Sequence, residues 1–158
     1  MAHTRSAAAQ RKLAGSVRRK GRGPAPSGLN RKELKSLVIL AVDADRGIPK
    51  SEASQLFRRV AATSTLPPGK MRAELIPDSS WKRAGQRLGP QASQTAARLI
   101  HVLSVAERVW GNETDATEWL NGPHPELDGA TPFSLLKTEA GGRAVEALLG
   151  ALEFGFPV

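Results

Sequence analysis

The sequence predicts an all-α fold, and three observations carry that expectation. Apolar residues recur at spacings of three and four along 91–110 and again along 145–152, one stripe per helix. Helix punctuation stands at the ends of these runs: Thr131-Pro132 is a start, with Thr131 as N-cap and Pro132 where its missing N–H costs nothing. Gly155 followed by Phe156-Pro157 is a stop, because glycine takes the left-handed position and proline forbids continuation. The third observation is compositional. With no Cys in 158 residues a disulfide framework is excluded, and a 40% apolar content can bury a core.

The net charge of +8 conceals a gradient. Residues 1–32 hold nine Lys/Arg and no acid, residues 33–88 carry +4, and residues 89–158 carry −5. A split of this kind suggests two partners, a polyanion for the N-terminal end and another for the C-terminal end. The longest apolar run, 37–42, is far too short for the roughly 20 residues of a membrane helix. The basic N-terminus lacks an apolar core segment and so is no secretory signal, although its Arg- and Ser-rich, acid-free character resembles a transit peptide. A cytoplasmic location is expected.

Residues 1–28 mix Ala, Ser, Gly, Pro and Arg without periodicity and read as a disordered basic arm. It is either a solubilising tail or an arm that tracks phosphate through Arg18-Arg19-Lys20. Residues 29–88 read as a helical DNA-binding or dimerisation region. Asn30 caps a helix to about Ala44, and Ser51 caps a second with Leu56, Phe57 and Val60 inward. A third spans about 68–75, Ile76-Pro77 turns the chain, and Asp78 caps a fourth through about Arg87. Two short helices joined by a tight turn have helix-turn-helix spacing, with the second as recognition helix. Trp81 is read as core, and Lys70, Arg72, Ser79, Ser80, Lys82, Arg83 and Arg87 are the candidates for DNA contact. The competing reading has these helices only supporting a dimer.

From about Gln91 to Trp110 runs a long helix whose Ala92, Ala96, Leu99, Leu103, Ala106 and Trp110 form a seam, with Val102, Val105 and Val109 adding a second apolar side. Such a helix is buried between layers or packs against another protomer, so a homodimer is expected. Thr114 or Asp115 caps the next helix, with Ala116, Trp119 and Leu120 inward. The closing helix carries Val145, Leu148, Leu149 and Leu152 on one face.

No catalytic constellation is legible. His3, His101 and His124 lie far apart, no metal-ligand spacing exists, and Gly141-Gly142 is not followed by the Lys-Ser/Thr of a phosphate loop. Neither metal nor cofactor is expected, and the protein reads as no enzyme.

The order Trp119-Leu120 with Pro123 and Pro125, then Gly129-x-Thr131-Pro132-x-x-Leu135-Leu136-x-Thr138-x-x-Gly141, then Val145-x-x-Leu148-Leu149-x-x-Leu152-x-x-Gly155, resembles the toxin-binding domain of the Xre/MbcA/ParS antitoxins. The resemblance covers roughly residues 89–158; upstream, Ile76-Pro77-x-x-Ser80-Trp81-x-Arg83 resembles the helix-turn-helix of these antitoxins. It implies a partner, a RES-domain toxin that attacks NAD or uses it for ADP-ribosylation, and operator DNA as a second partner. The implied toxin contacts are Trp119, Phe133, Arg143 and Glu153 together with the tip Phe154-Gly155-Phe156-Pro157-Val158. An alternative is a helical DNA-binding regulator whose C-terminal domain dimerises or senses, with no toxin.

Overall fold

The computed structural model describes residues 46–155. The basic arm, the helix expected between Asn30 and Ala44, and Phe156, Pro157 and Val158 lie outside those residues. The described residues fall within one compact unit of seven α-helices and a 3-10 turn, with no named strand among them.

Helix α1, Lys50–Ala61, buries Ala53, Leu56, Phe57 and Val60 as the periodicity requires. Its N-cap is Pro49, however, and Ser51 lies inside the first turn rather than capping it. The cause is distant in sequence. An antiparallel bridge pairs Pro49 with Arg87, so that Lys50 N donates to Gln86 O at 2.9 Å and Leu88 N to Ile48 O at 2.9 Å. The bridge fixes where the chain can turn into a helix. It also ends α3, Asp78–Arg83, four residues before the expected Arg87: Ala84 is already extended, since residues 86–88 are drawn into the bridge. Between them α2, Pro68–Leu75, starts with Pro68 in its first turn. Pro77, not Asp78, is the N-cap of α3, and the Asp78 carboxylate turns to Arg72 instead.

Helix α4, Pro90–Trp110, runs through the centre and ends at Gly111, whose φ of 79° is left-handed. Ala96, Leu99, Val102, Leu103 and Ala106 are fully enclosed. Much of the wide apolar circumference is covered within the chain, since α5, Glu113–Asn121, and α7, Glu139–Phe154, both pack against α4, while Val105, Val109 and Trp110 stay half-buried. Asn112 caps α5 by accepting from Asp115 N at 2.8 Å, a role expected of Thr114 or Asp115. Asn112 is extended and directly follows the left-handed glycine, so it is the last non-helical residue and the only one placed to cap. The short α6, Pro132–Leu135, is capped by Thr131.

One hydrophobic core joins Phe57, Ile48, Met71 and Ile76 to Leu99, Leu103, Leu120, Leu136 and Leu149. Polar ties reinforce it between α1 and the C-terminal helices. Asn121 donates to Val60 O at 2.9 Å and to Thr63 Oγ1 at 3.0 Å. Arg59 bridges Glu107 at 2.9 Å and Glu113 at 2.6 Å; the Glu113 hydrogen bond above all, and the charge of both carboxylates, hold its guanidinium above the usual value.

Candidate functional site

At the C-terminal end the surface is built around the entry to α7. Thr138 caps the helix, accepting from Gly141 N at 3.0 Å. Positions 141 and 142 are both crowded. A Cβ on Gly141 would run into the carbonyl of Leu135, and one on Gly142 into the aliphatic part of Arg98. Arg98 in turn donates through Nη1 to Leu136 O at 2.7 Å, closing the end of α6 against the start of α7. The pair of glycines is therefore a packing device, which lets α7 pass close under Arg98.

From there α7 buries Val145, Leu148 and Leu149 and leaves the opposite face open. Ala140, Ala144 and Ala147 lie exposed on that face at helical spacing, and the row continues through half-buried Ala151 to Phe154, which is 74% exposed. Among the described residues only Leu66 and Phe154 are exposed large hydrophobics. Gly155 has φ of 70°, the left-handed stop expected of it. In the sequence these alanines look like ordinary helix filler; their i, i+4, i+7 order ending on an aromatic is the signal that marks the face.

The other residues expected on this surface divide. Arg143 is exposed and pairs with Glu139 one turn away at 2.9 Å. Glu153 takes both Nε and Nη2 of Arg108, at 3.0 and 3.2 Å, and so ties α7 to α4. Trp119 and Phe133 are 7% and 2% exposed and sit in the core. Trp119 makes tilted ring contacts with Trp110, with centroids 4.9 Å apart, and with His124, at 5.1 Å. Its indole N–H is buried without a hydrogen-bond partner among the described residues.

The opposite, basic end of the chain contains nine Lys/Arg and three Asp/Glu across residues 46–88. Lys70, Ser79, Lys82 and Arg83 are exposed there, and Ser80 is half-buried. Three of the arginines have structural engagements, Arg83 through Nε to Ser79 O at 3.2 Å. Arg72 pairs with Asp78, donates to Ile76 O at 3.2 Å and lies 4.9 Å from the Trp81 ring centroid. Arg87 Nη1 donates to Gly47 O at 2.6 Å. The Arg72 hydrogen bond, then its charge, lowers the Asp78 carboxyl below its usual range. Trp81 packs against the core but stays half-buried, with Lys50 Nζ 5.2 Å from its ring centroid.

Among the described residues no group of three His, Cys, Asp or Glu is placed to hold a metal ion, and no helix is long and apolar enough to cross a membrane.

Comparison with known proteins bears on the first of these surfaces. A family profile described as the antitoxin Xre/MbcA/ParS C-terminal toxin-binding domain matches residues 105–155, from the last turns of α4 to Gly155. The chain is similar to a protein named Antitoxin Xre from Pseudomonas putida KT2440, 31% identical over 88 residues, covering 54% of this chain and 55% of that one. A second protein named Antitoxin Xre, from Yersinia enterocolitica serotype O:8, is 35% identical over 89 residues, covering 54% of this chain and 60% of the relative. The chain thus spans little more than half the length of these curated relatives. Residues 105–155 are thus similar to the C-terminal toxin-binding domain of the Xre/MbcA/ParS antitoxins.

Proposed function

We propose that the protein is a cytoplasmic antitoxin that binds a RES-domain toxin acting on NAD and closes its substrate cleft. The observation that carries the reading is the coincidence of the toxin-binding segment, residues 105–155, with the open alanine face of α7 and its exposed Phe154. An enzyme cleft for a dinucleotide is concave and partly apolar, with a few polar groups for orientation. A helix end followed by Gly155-Phe156-Pro157-Val158 offers aromatic area, a tight turn and a proline that lowers the entropy cost of ordering. Arg143 and Glu139 rim this surface.

The basic end supports a second activity, autoregulation by DNA binding, through α3 with Ser79, Lys82 and Arg83 exposed and Lys70 of α2 beside it. A homodimer is the form proposed to bind, since helix-turn-helix modules read a duplex in two-fold pairs. The competing reading is a DNA-binding regulator without a toxin partner.

The test is co-expression with a RES toxin encoded beside the gene. Wild-type protein should restore growth and stop NAD consumption, and deletion of residues 155–158 should release the toxin while leaving helix content and DNA binding intact. A truncated protein that still silences the toxin moves inhibition to the α7 face. Full-length protein that neither binds nor silences it leaves the regulator reading.

A further inference from the structure

An open cleft of about 550 Å³ lies between the start of α1 and the end of α3, lined by Lys50, Ser51, Ser54, Trp81, Gln86 and Arg87. No acidic side chain among the described residues lines it. Its principal cation is held in place. Lys50 Nζ donates to Ala84 O at 3.1 Å and rests against the Trp81 ring, which leaves two of its three N–H donors uncommitted. Ser54 spends its proton on Lys50 O at 2.8 Å. The Ser51 hydroxyl and the Gln86 amide remain as neutral donors, and the half-buried Trp81 forms an apolar wall.

Fixed cation, neutral donors, no carboxylate and an aromatic wall are the chemistry of a phosphate with a sugar attached. The cleft is open to solvent rather than enclosed, which suits one link of a passing polymer better than a small free anion that needs burial. Exposed Lys82 and Arg83 follow Trp81 directly on α3. A duplex presented to α3 would therefore bring its backbone to this cleft.

We propose that the Lys50–Trp81 cleft seats one backbone phosphate of duplex DNA, with Lys50 as its ionic partner and Trp81 as the wall against the adjoining sugar. The proposal rests on the DNA-binding reading of the basic end. The bridge from Pro49 to Arg87 then has a role beyond the fold: it holds the two sides of the phosphate seat together.

The experiment uses the full chain and a short random-sequence DNA duplex, with affinity measured across a salt series. Each phosphate neutralised on B-DNA contributes about 0.9 to the slope of log affinity on log salt. Lys50→Gln should reduce the slope by about one, Lys50→Arg should retain it, and Lys137→Gln, in the acidic half, should leave it unchanged. In the same titration the Trp81 indole N–H resonance should shift while that of core Trp119 stays. The Lys50→Arg rescue separates lost charge from lost folding. Duplex binding with a wild-type slope in Lys50→Gln overturns the phosphate seat and leaves DNA binding standing. A Trp81 shift with inorganic phosphate but none with duplex overturns it in favour of a small-anion site. No duplex binding by the wild type removes the DNA reading itself.

Discussion

The side chain of Arg98 lies across Gly142, with Nη1 reaching Leu136 O at 2.7 Å, so that one arginine from α4 holds the junction of α6 and α7. It makes no ion pair with a carboxylate among the described residues; its charge is opposed by backbone carbonyl at the end of α6. The arrangement depends on the absent Cβ of residue 142. Gly142→Ala should therefore cost about 1–3 kcal/mol by overpacking, read as a lowered denaturant midpoint. In an Arg98→Ala background the same substitution should cost less, because the obstructing side chain is gone. Gly141→Ala should be the more damaging of the two, since its obstruction is the carbonyl of Leu135 and cannot rotate away. Equal costs for Gly142→Ala in both backgrounds would remove Arg98 from the account.

Thr138 satisfies Gly141 N at the start of the helix that carries the proposed docking face. Its replacement by alanine leaves that donor to water and should destabilise the fold by about 1 kcal/mol. Thr138→Ser should restore most of the loss by keeping the hydroxyl. Chemical denaturation of the three proteins decides it.

The link between α2 and α3 should respond to acid. The lowered Asp78 carboxyl means that its pairing with Arg72 stabilises the fold fully above the ordinary carboxylate range, and that the contribution is lost as pH falls through the lowered folded value. Asp78 is exposed and the effect is small, so a local probe is the right one. Arg72 lies against Trp81, and the Trp81 indole resonance should move over the same acid window in which Asp78 titrates. Asp78→Asn should abolish that movement. A Trp81 titration that persists in the variant would assign it to another group.

Local signals were legible in the sequence, and their limits have a physical cause. Thr131, Gly155 and the Leu99–Leu103–Ala106 seam were identified because capping, left-handed stops and helical period involve residues within a few positions of one another. The start of α1 and the end of α3 were displaced by a bridge between residues nearly forty apart, for which neither segment carries a local mark. The same distinction governs the surface. Composition places basic residues at one end, but only the fold sets Arg72 half-buried against Asp78 and sends exposed Arg87 to Gly47 O, while exposed Arg83 reaches Ser79 O within its own helix and Lys82 stands exposed. The sequence pattern offers Trp119 and Phe154 alike as contacts; one is enclosed beside Trp110 and His124, the other open.

Phe154 supplies the sharpest test of the docking face. A phenylalanine 74% exposed at the last turn of a helix gives little to the fold, and surface replacements away from caps and cores usually change stability by less than about 0.5 kcal/mol. Phe154→Ser should thus leave the melting transition nearly unchanged. At an interface the same ring is an anchor, and removing an aromatic anchor typically costs about 2 kcal/mol or more of binding energy. The expected result is a thirtyfold or so weaker complex with the toxin, that energy expressed as an affinity ratio. Trp119→Ser should do the reverse, lowering stability severely because it empties a core site. The comparison is informative because both rings lie in the segment that matches the toxin-binding domain. Unchanged toxin affinity in a folded Phe154→Ser protein would place the contact elsewhere on α7, with Ala140, Arg143, Ala144 and Ala147 the next to replace.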